Sequence, residues 1–279
     1  MNAVNGNAYK TLGRQSAKLV TGLYEQGRRV FRLADAARIT GLGSRPTRNL
    51  VSGLVHRGIA TRLKPGLFNL VPFELGEERE YVDNPFVVAR EMMREKIYYI
   101  SHASAMDIHQ MVTQPQLVVY VTSPHPMRIR TALGTEYRFV RCQNRDIFGL
   151  EEHWVDGRER VIVSDLERTI LDGLKQPEHC GGVTEVAKGM WIRKDALDVD
   201  KLIDYALRLA VGATCRRLGY LLELYGLGTE EQIQRLRSSL TSSYALLDPV
   251  LPADGGKFLH RWRLRVNIDP EELDAVVRT

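Results

Sequence analysis

The stretch FRLADAARITGLGSRPTRNL (Phe31–Leu50), continued by VSGLVHRGIATRLKPGLFNLV (Val51–Val71), decides how this chain is read. Arg32 to Ile39 is an alanine-rich run of good helix formers with Leu33, Ala36, Ala37 and Ile39 on one side. Thr40 to Ser44 ends it, because Gly41 and Gly43 allow a sharp turn, Leu42 can plug the angle between two helices, and Ser44 is a good N-cap. A second helix is expected from there. Pro46 falls in its first turn, where a missing N–H costs nothing, and Gly58 suits the position just past its end.

Leu50, Val51, Leu54 and Val55 form the apolar stripe of that second helix. The opposite face carries Arg45, Arg48, Asn49, Ser52 and His56, and Thr47 is counted with them as a DNA contact. These are side chains that hydrogen-bond to guanine, adenine and phosphate in a major groove. Ile59–Leu63 and Leu67–Val71 then flank Lys64-Pro65-Gly66, with Pro and Gly at the central positions of a type II turn. The resulting hairpin is a wing, with Arg62 and Lys64 on or beside its tip, placed for a phosphate or a minor groove. Arg28 and Arg29 follow the preceding helix, which runs from Ser16 to about Gly27, and are read equally as phosphate contacts or as a solvated pair. A protein-interaction module is the blander reading of the motif; turn, wing and charge together favour DNA.

Charge is distributed unevenly. The whole chain carries a net +5, yet residues 1–72 hold twelve basic side chains against Glu25 and Asp35 alone, so the remainder is net acidic. A cationic reader of this kind is driven onto DNA by phosphate neutralisation and counterion release. At 279 residues, 44% of them hydrophobic, two or three ordinary globular domains are expected. No apolar run approaches membrane-spanning length and no signal segment opens the chain, so a cytoplasmic protein is expected. Cys142, Cys180 and Cys215 are far apart and form no CxxC pair, which argues against a disulfide framework or zinc ribbon.

Residues 1–10 have little pattern and are expected to fray. Residues 73–83, with Glu74, Glu77, Glu78, Glu80 and Asp83, read as an acidic connector between a DNA-binding domain at 1–72 and a second domain at 84–279. Asn84-Pro85 opens a helix to Glu95, and a helix of small residues holds His102 and His109. Strands are expected at 116–122, 135–142 and 159–163, separated by turns such as Asp156-Gly157, which suggests an antiparallel sheet. Ser164-Asp-Leu-Glu167 has the spacing of a capping box for a helix to Leu174. Helices are expected over 184–191, 200–209, 213–225 and 229–240, with Arg216-Arg217 anchoring a buried helix or binding an acidic partner. A strand over 259–266 around Trp262 and a helix over 270–277 close the chain.

Several short patterns in order give this chain a resemblance to the AbiEi family of antitoxins, winged-helix regulators of abortive-infection toxin-antitoxin operons. They are Arg62-Leu-Lys-Pro-Gly-Leu-Phe-Asn-Leu70, Tyr99-Ile-Ser-His-Ala-Ser-Ala105, Val163-Ser-Asp-Leu-Glu-Arg-Thr-Ile-Leu-Asp172, Gly181-Gly182 and Arg217-Leu-Gly-Tyr-Leu-Leu-Glu223. The resemblance covers nearly all of the chain. It implies binding to operator repeats in the protein's own promoter and a C-terminal domain that counteracts a nucleotidyltransferase-like toxin, often without a stable complex.

The expected fold is therefore α+β: a winged helix-turn-helix, then a larger mixed domain with a mainly antiparallel sheet and a helical C-terminal part. The expected function is a DNA-binding repressor and antitoxin, with no enzyme activity and no cofactor. No phosphate-binding loop, dinucleotide fingerprint, metalloprotease helix or nucleophile elbow occurs. Two other readings stay open. One is a metal-dependent nucleic-acid enzyme using His102, Asp107, Asp165 and Glu167; the other is a transcription factor whose C-terminal domain senses a small ligand.

Overall fold

The computed structural model describes residues 12–76, 78, 81, 84–112, 117–132, 134–155, 159–253 and 255–276. Residues 1–10, the acids Glu77, Glu80 and Asp83, Gln116, the Asp156-Gly157 turn and Val277 lie outside them. The chain divides into two compact units, one holding residues up to Lys96 with Ile129–Tyr137 and His153–Val161, the other the remainder. The described residues of the acid-rich run at 73–83 belong to the first unit.

The first unit opens with α1 (Arg14–Glu25), β1 (Val30–Arg32), α2 (Leu33–Thr40), α3 (Ser44–His56), β2 (Ala60–Lys64), β3 (Leu67–Leu70) and α4 (Pro85–Met93). The three strands form one antiparallel sheet in the order β1-β3-β2. Strand β1 was not anticipated, since Val30-Phe31 is too short to show a period; its register places Phe31 opposite Phe68, ring centroids 5.7 Å apart. Leu19, Leu23, Phe31, Ala36, Val51, Leu54 and Ile59 make the core, so α1, α2 and α3 each bury one stripe. Helix α2 ends on Gly41 at φ 77°, a left-handed C-cap that a side chain would strain. Asn84 caps α4 by accepting the Phe86 N–H at 2.9 Å, and Arg94 at φ 59° stops it short of Glu95.

The chain continues through β4 (Tyr99–Ile100), α5 (His102–Ile108), β5 (Val118–Ser123), β6 (Arg130–Ala132), β7 (Thr135–Arg141), β8 (Leu150–Trp154) and β9 (Arg160–Ser164). These strands form a six-stranded sheet, ordered β6-β7-β5-β4-β9-β8. It is mixed: β4 is antiparallel to β5 and parallel to β9, with Ile100 opposite Val163. The expectation of an antiparallel sheet missed this pairing because the strands that meet are sixty residues apart in sequence.

Helices α6 (Leu166–Lys175), α7 (Val183–Ile192), α8 (Val199–Leu209), α9 (Gly212–Leu224) and α10 (Glu230–Ser238) follow. Then come β10 (Ala245–Leu246), β11 (Lys257–Leu259), β12 (Leu264–Val266) and α11 (Pro270–Ala275). Ser164 is the last strand residue rather than a cap; Asp165 caps α6, accepting the Arg168 N–H at 2.8 Å. Thr229 and Gln232 do form the reciprocal box of α10. Residues 259–266 are not one strand: β11 and β12 pair antiparallel across a turn that carries buried Trp262.

Buried arginines hold the second unit together. Arg168, 1% exposed, donates from Nε to Asp172 Oδ1 at 3.0 Å, from Nη2 to the Tyr99 hydroxyl at 2.9 Å and from Nη1 to the Asp146 carbonyl at 2.8 Å. Arg217 donates to the carbonyls of Leu174 at 2.6 Å and Leu247 at 2.8 Å. It anchors α9, as one of the two sequence readings held. Gly219 lies against the Trp262 ring so closely that a Cβ there would sit 2.0 Å from it, and the indole N–H donates to Glu223 Oε2 at 2.6 Å.

Candidate nucleic-acid interface

Helix α3 begins at Ser44, with Gly43 in extended conformation as its N-cap and no side chain capping it. Ser44 is therefore the first helical residue and not the cap expected of it. Thr47 is 1% exposed, and its hydroxyl donates to the carbonyls of Leu42 at 3.2 Å and Gly43 at 2.9 Å, which ties the helix to the turn before it. With Val51 and Leu54 it forms the buried stripe at i, i+4 and i+7. Thr47 is thus corrected from DNA contact to a support of the helix–turn geometry.

Arg45, Arg48, Asn49, Ser52 and His56 are all exposed. At 100° per residue they fall within an arc of about 100°, one continuous face of the helix. Among the described residues, no carboxylate pairs with Arg45 or Arg48. An unpaired guanidinium on a rigid helix keeps its donor fork available for a ligand.

The hairpin follows directly. Lys64 pairs with Leu67 across Pro65-Gly66, and a register shift lies between Arg62 and Lys64. Arg62 is exposed on β2 and, among the described residues, has no acidic partner. Lys64 is the last residue of β2, directly before Pro65-Gly66 and so beside the tip, as expected. Its ammonium is half-buried and turns toward the Met92 carbonyl, 3.5 Å away. Desolvation, then the nearby Arg32, Arg94, Arg130 and Lys96, push its pKa down to about 8. Residue order does not signal these neighbours, which come from three separate parts of the chain.

Arg28 is also corrected. Its guanidinium is held by Asp35 at 3.0 and 3.4 Å, and the same carboxylate takes Arg38 at 3.0 Å and the Arg32 backbone N–H at 2.9 Å. One acid therefore organises the start of α2 and occupies two of the twelve N-terminal cations. Arg29 is half-buried, its carbonyl receiving the Leu70 N–H at 2.9 Å.

The residues of the alternative metal-enzyme reading are dispersed. His102 is 1% exposed at φ 51°, its Nδ1 2.8 Å from the Ser101 hydroxyl, and burial lowers its pKa to about 4. His109 instead donates from Nε2 to the Ser164 carbonyl at 2.7 Å. Lys201 Nζ lies 3.1 Å from Asp165 and 2.8 Å from Glu167, and Glu167 also receives the Asp198 N–H at 3.0 Å. Asp107 is half-buried, which raises its pKa. Among the described residues, no group of three or more His, Cys, Asp and Glu side chains is placed to hold a metal ion.

No protein-family model and no curated protein matches the sequence. The fold is similar to that of a crystal structure of the Rv2827c protein from Mycobacterium tuberculosis, with TM-score 0.72 at 14% identity over 98% of this chain and 97% of that one. A likeness at that identity is one of fold. Among the described residues, no helix is long and apolar enough to cross a membrane.

Proposed function

We propose that this chain is a sequence-specific DNA-binding repressor and antitoxin, with α2, α3 and the β2–β3 hairpin acting as a winged helix-turn-helix within residues 1–72. The observation that carries the proposal is the face of α3: two arginines, an asparagine, a serine and a histidine in one arc, exposed and unopposed by acid. In this reading Arg45, Arg48, Asn49 and Ser52 enter the major groove of double-stranded DNA. Arg62 is the wing's phosphate contact, and Thr47 only holds the helix at its angle.

The antitoxin part of the reading rests on the motifs shared with AbiEi proteins. They assign residues 84–279, beyond a connector at 73–83, to counteracting a nucleotidyltransferase-like toxin, and the operator repeats to the protein's own promoter.

Full-length protein titrated with its own upstream DNA and with scrambled DNA, across a salt series, tests the proposal. Tight binding to the upstream DNA alone, with a steep salt slope, is expected. Arg48→Ala should weaken the upstream site more than scrambled DNA, and Arg62→Ala should weaken both alike. Binding without sequence preference would overturn the repressor reading. Toxin growth arrest that co-expression fails to relieve would overturn the antitoxin part separately.

A further inference from the structure

A cavity of about 490 Å³ opens where α8 gives way to α9, and none of the described residues lining it is acidic. It is lined by the first turn of α9 at Gly212 and Ala213, by Arg216, and by the hydroxyl-bearing Ser239, Thr241 and Ser243. Helix α9 is 13 residues long and its N-cap, Val211, offers no side-chain acceptor, so the positive end of the helix faces this space uncapped.

Arg216 adds a second and independent feature. It is 2% exposed, and its side chain folds back along α9 so that Nη1 lies 2.5 Å from where a Cβ on Gly212 would be; only glycine admits it there. Nη2 is spent on the carbonyls of Thr241 at 3.1 Å and Ser243 at 2.9 Å, and on their hydroxyls. Nε is buried without a hydrogen-bond acceptor, and no carboxylate pairs with the guanidinium among the described residues. A buried cation at the positive end of a helix is unfavourable twice over unless an anion shares the site. Burial lowers its pKa, with Arg263 adding to the effect.

We propose that this cavity is a phosphate-binding site, taking the phosphoryl group of a small molecule between Arg216, the α9 N-terminus and the three hydroxyls. Helix N–H groups, a guanidinium and Ser or Thr hydroxyls are the donors that a phosphoryl group uses. Tyr244 also lines the cavity and is backed by Phe258 at 5.3 Å, which gives an aromatic ring on the ligand a surface to lie against. The proposal stands independently of DNA binding.

The test is titration calorimetry of the full chain with inorganic phosphate and with adenosine monophosphate, each at ionic strength matched with sodium chloride. The decisive variant is Ala213→Asp, which puts a carboxylate in the site while suiting the first turn of a helix, so the fold is kept and its melting temperature should not fall. Loss of phosphate affinity by about tenfold or more is expected in that variant. Tighter binding of the monophosphate than of phosphate would identify a nucleotide-like ligand, and equal binding would identify the free anion; both support the site. No binding of either compound, or equal binding by Ala213→Asp, would overturn it.

Discussion

Arginine does opposite work in the two units. In the first, Arg45 and Arg48 stand exposed on α3 with no acid beside them, whereas in the second Arg168 and Arg217 are buried and their donors are taken up by named acceptors. The residue type is the same and so is the charge. What separates them is the supply of acceptors: Asp172, Tyr99 and the carbonyls of Asp146, Leu174 and Leu247 in one case, water in the other. A guanidinium saturated by its own chain holds a fold, and one left unsatisfied is available to a ligand. Arg216 lies between these limits, with one nitrogen satisfied and another stranded.

The contrast can be broken most severely at Arg168. Arg168→Ala strands the Asp172 carboxylate in a dry site and should cost about 3–5 kcal/mol of stability, read from urea unfolding. A loss no larger than that of a surface substitution would show that the buried set is not what holds the second unit.

Next comes a pH effect in the same unit. His102 has its folded-state pKa lowered from 6.5 to about 4, so between those values the unfolded chain binds the proton and the folded chain does not. Stability should be fully present above pH 6.5 and fall by about 3 kcal/mol as the pH approaches 4. His179, Asp172 and Arg168 are the charged or titratable groups beside it. Denaturant midpoints for wild type and His102→Gln between pH 4 and 7 check this: the acid loss should be reduced in the variant, and parallel profiles would refute it.

On the exposed side, Arg48→Ala should weaken operator binding by about 1–3 kcal/mol. Its unfolding midpoint should stay within about 0.5 kcal/mol of wild type. A binding loss that merely tracked a stability loss would place Arg48 with the structural arginines.

The smallest effect is expected at Lys64. Because its folded pKa is depressed to about 8 from 10.5, the penalty of holding its charge is complete below pH 8 and relieved as the pH rises through that window. Lys64→Met should stabilise the protein at pH 7 by on the order of 0.5 kcal/mol after solvent screening, and remove that part of the alkaline rise. Destabilisation at pH 7 would mean that the Met92 contact outweighs the crowding of cations.

Much of this was readable from residue order. The alanine-rich run at 32–39, Gly41, the hairpin at Pro65-Gly66 and Asn84-Pro85 are local signals whose physics acts within a few residues. Thr47 was misread although the signal was present, since 47, 51 and 54 continue the buried period and a small hydroxyl can bond the preceding carbonyls. Arg168 and Asp172 also carried a trace, an opposite-charge pair four apart on a helix that carries Ile170, Leu171 and Leu174. The parallel pairing of β4 with β9, the cations around Lys64 and the cavity beside Arg216 had none. Each joins segments whose proximity only tertiary packing creates.

The meeting of Gly219 with Trp262, and of Arg217 with the Leu247 carbonyl, also bears on how the protein is made. Helix α9 leaves the ribosome with its glycine face bare and its guanidinium answered by the Leu174 carbonyl, which is already made. The Leu247 carbonyl follows 30 residues later, and the Trp262 ring waits for the hairpin at the far end of the chain. About 40 residues separate them, so at ordinary elongation rates the nascent second unit stays open for about 2–8 s after α9 is synthesised. Throughout that interval the face of α9 that the Trp262 ring later covers is open to solvent.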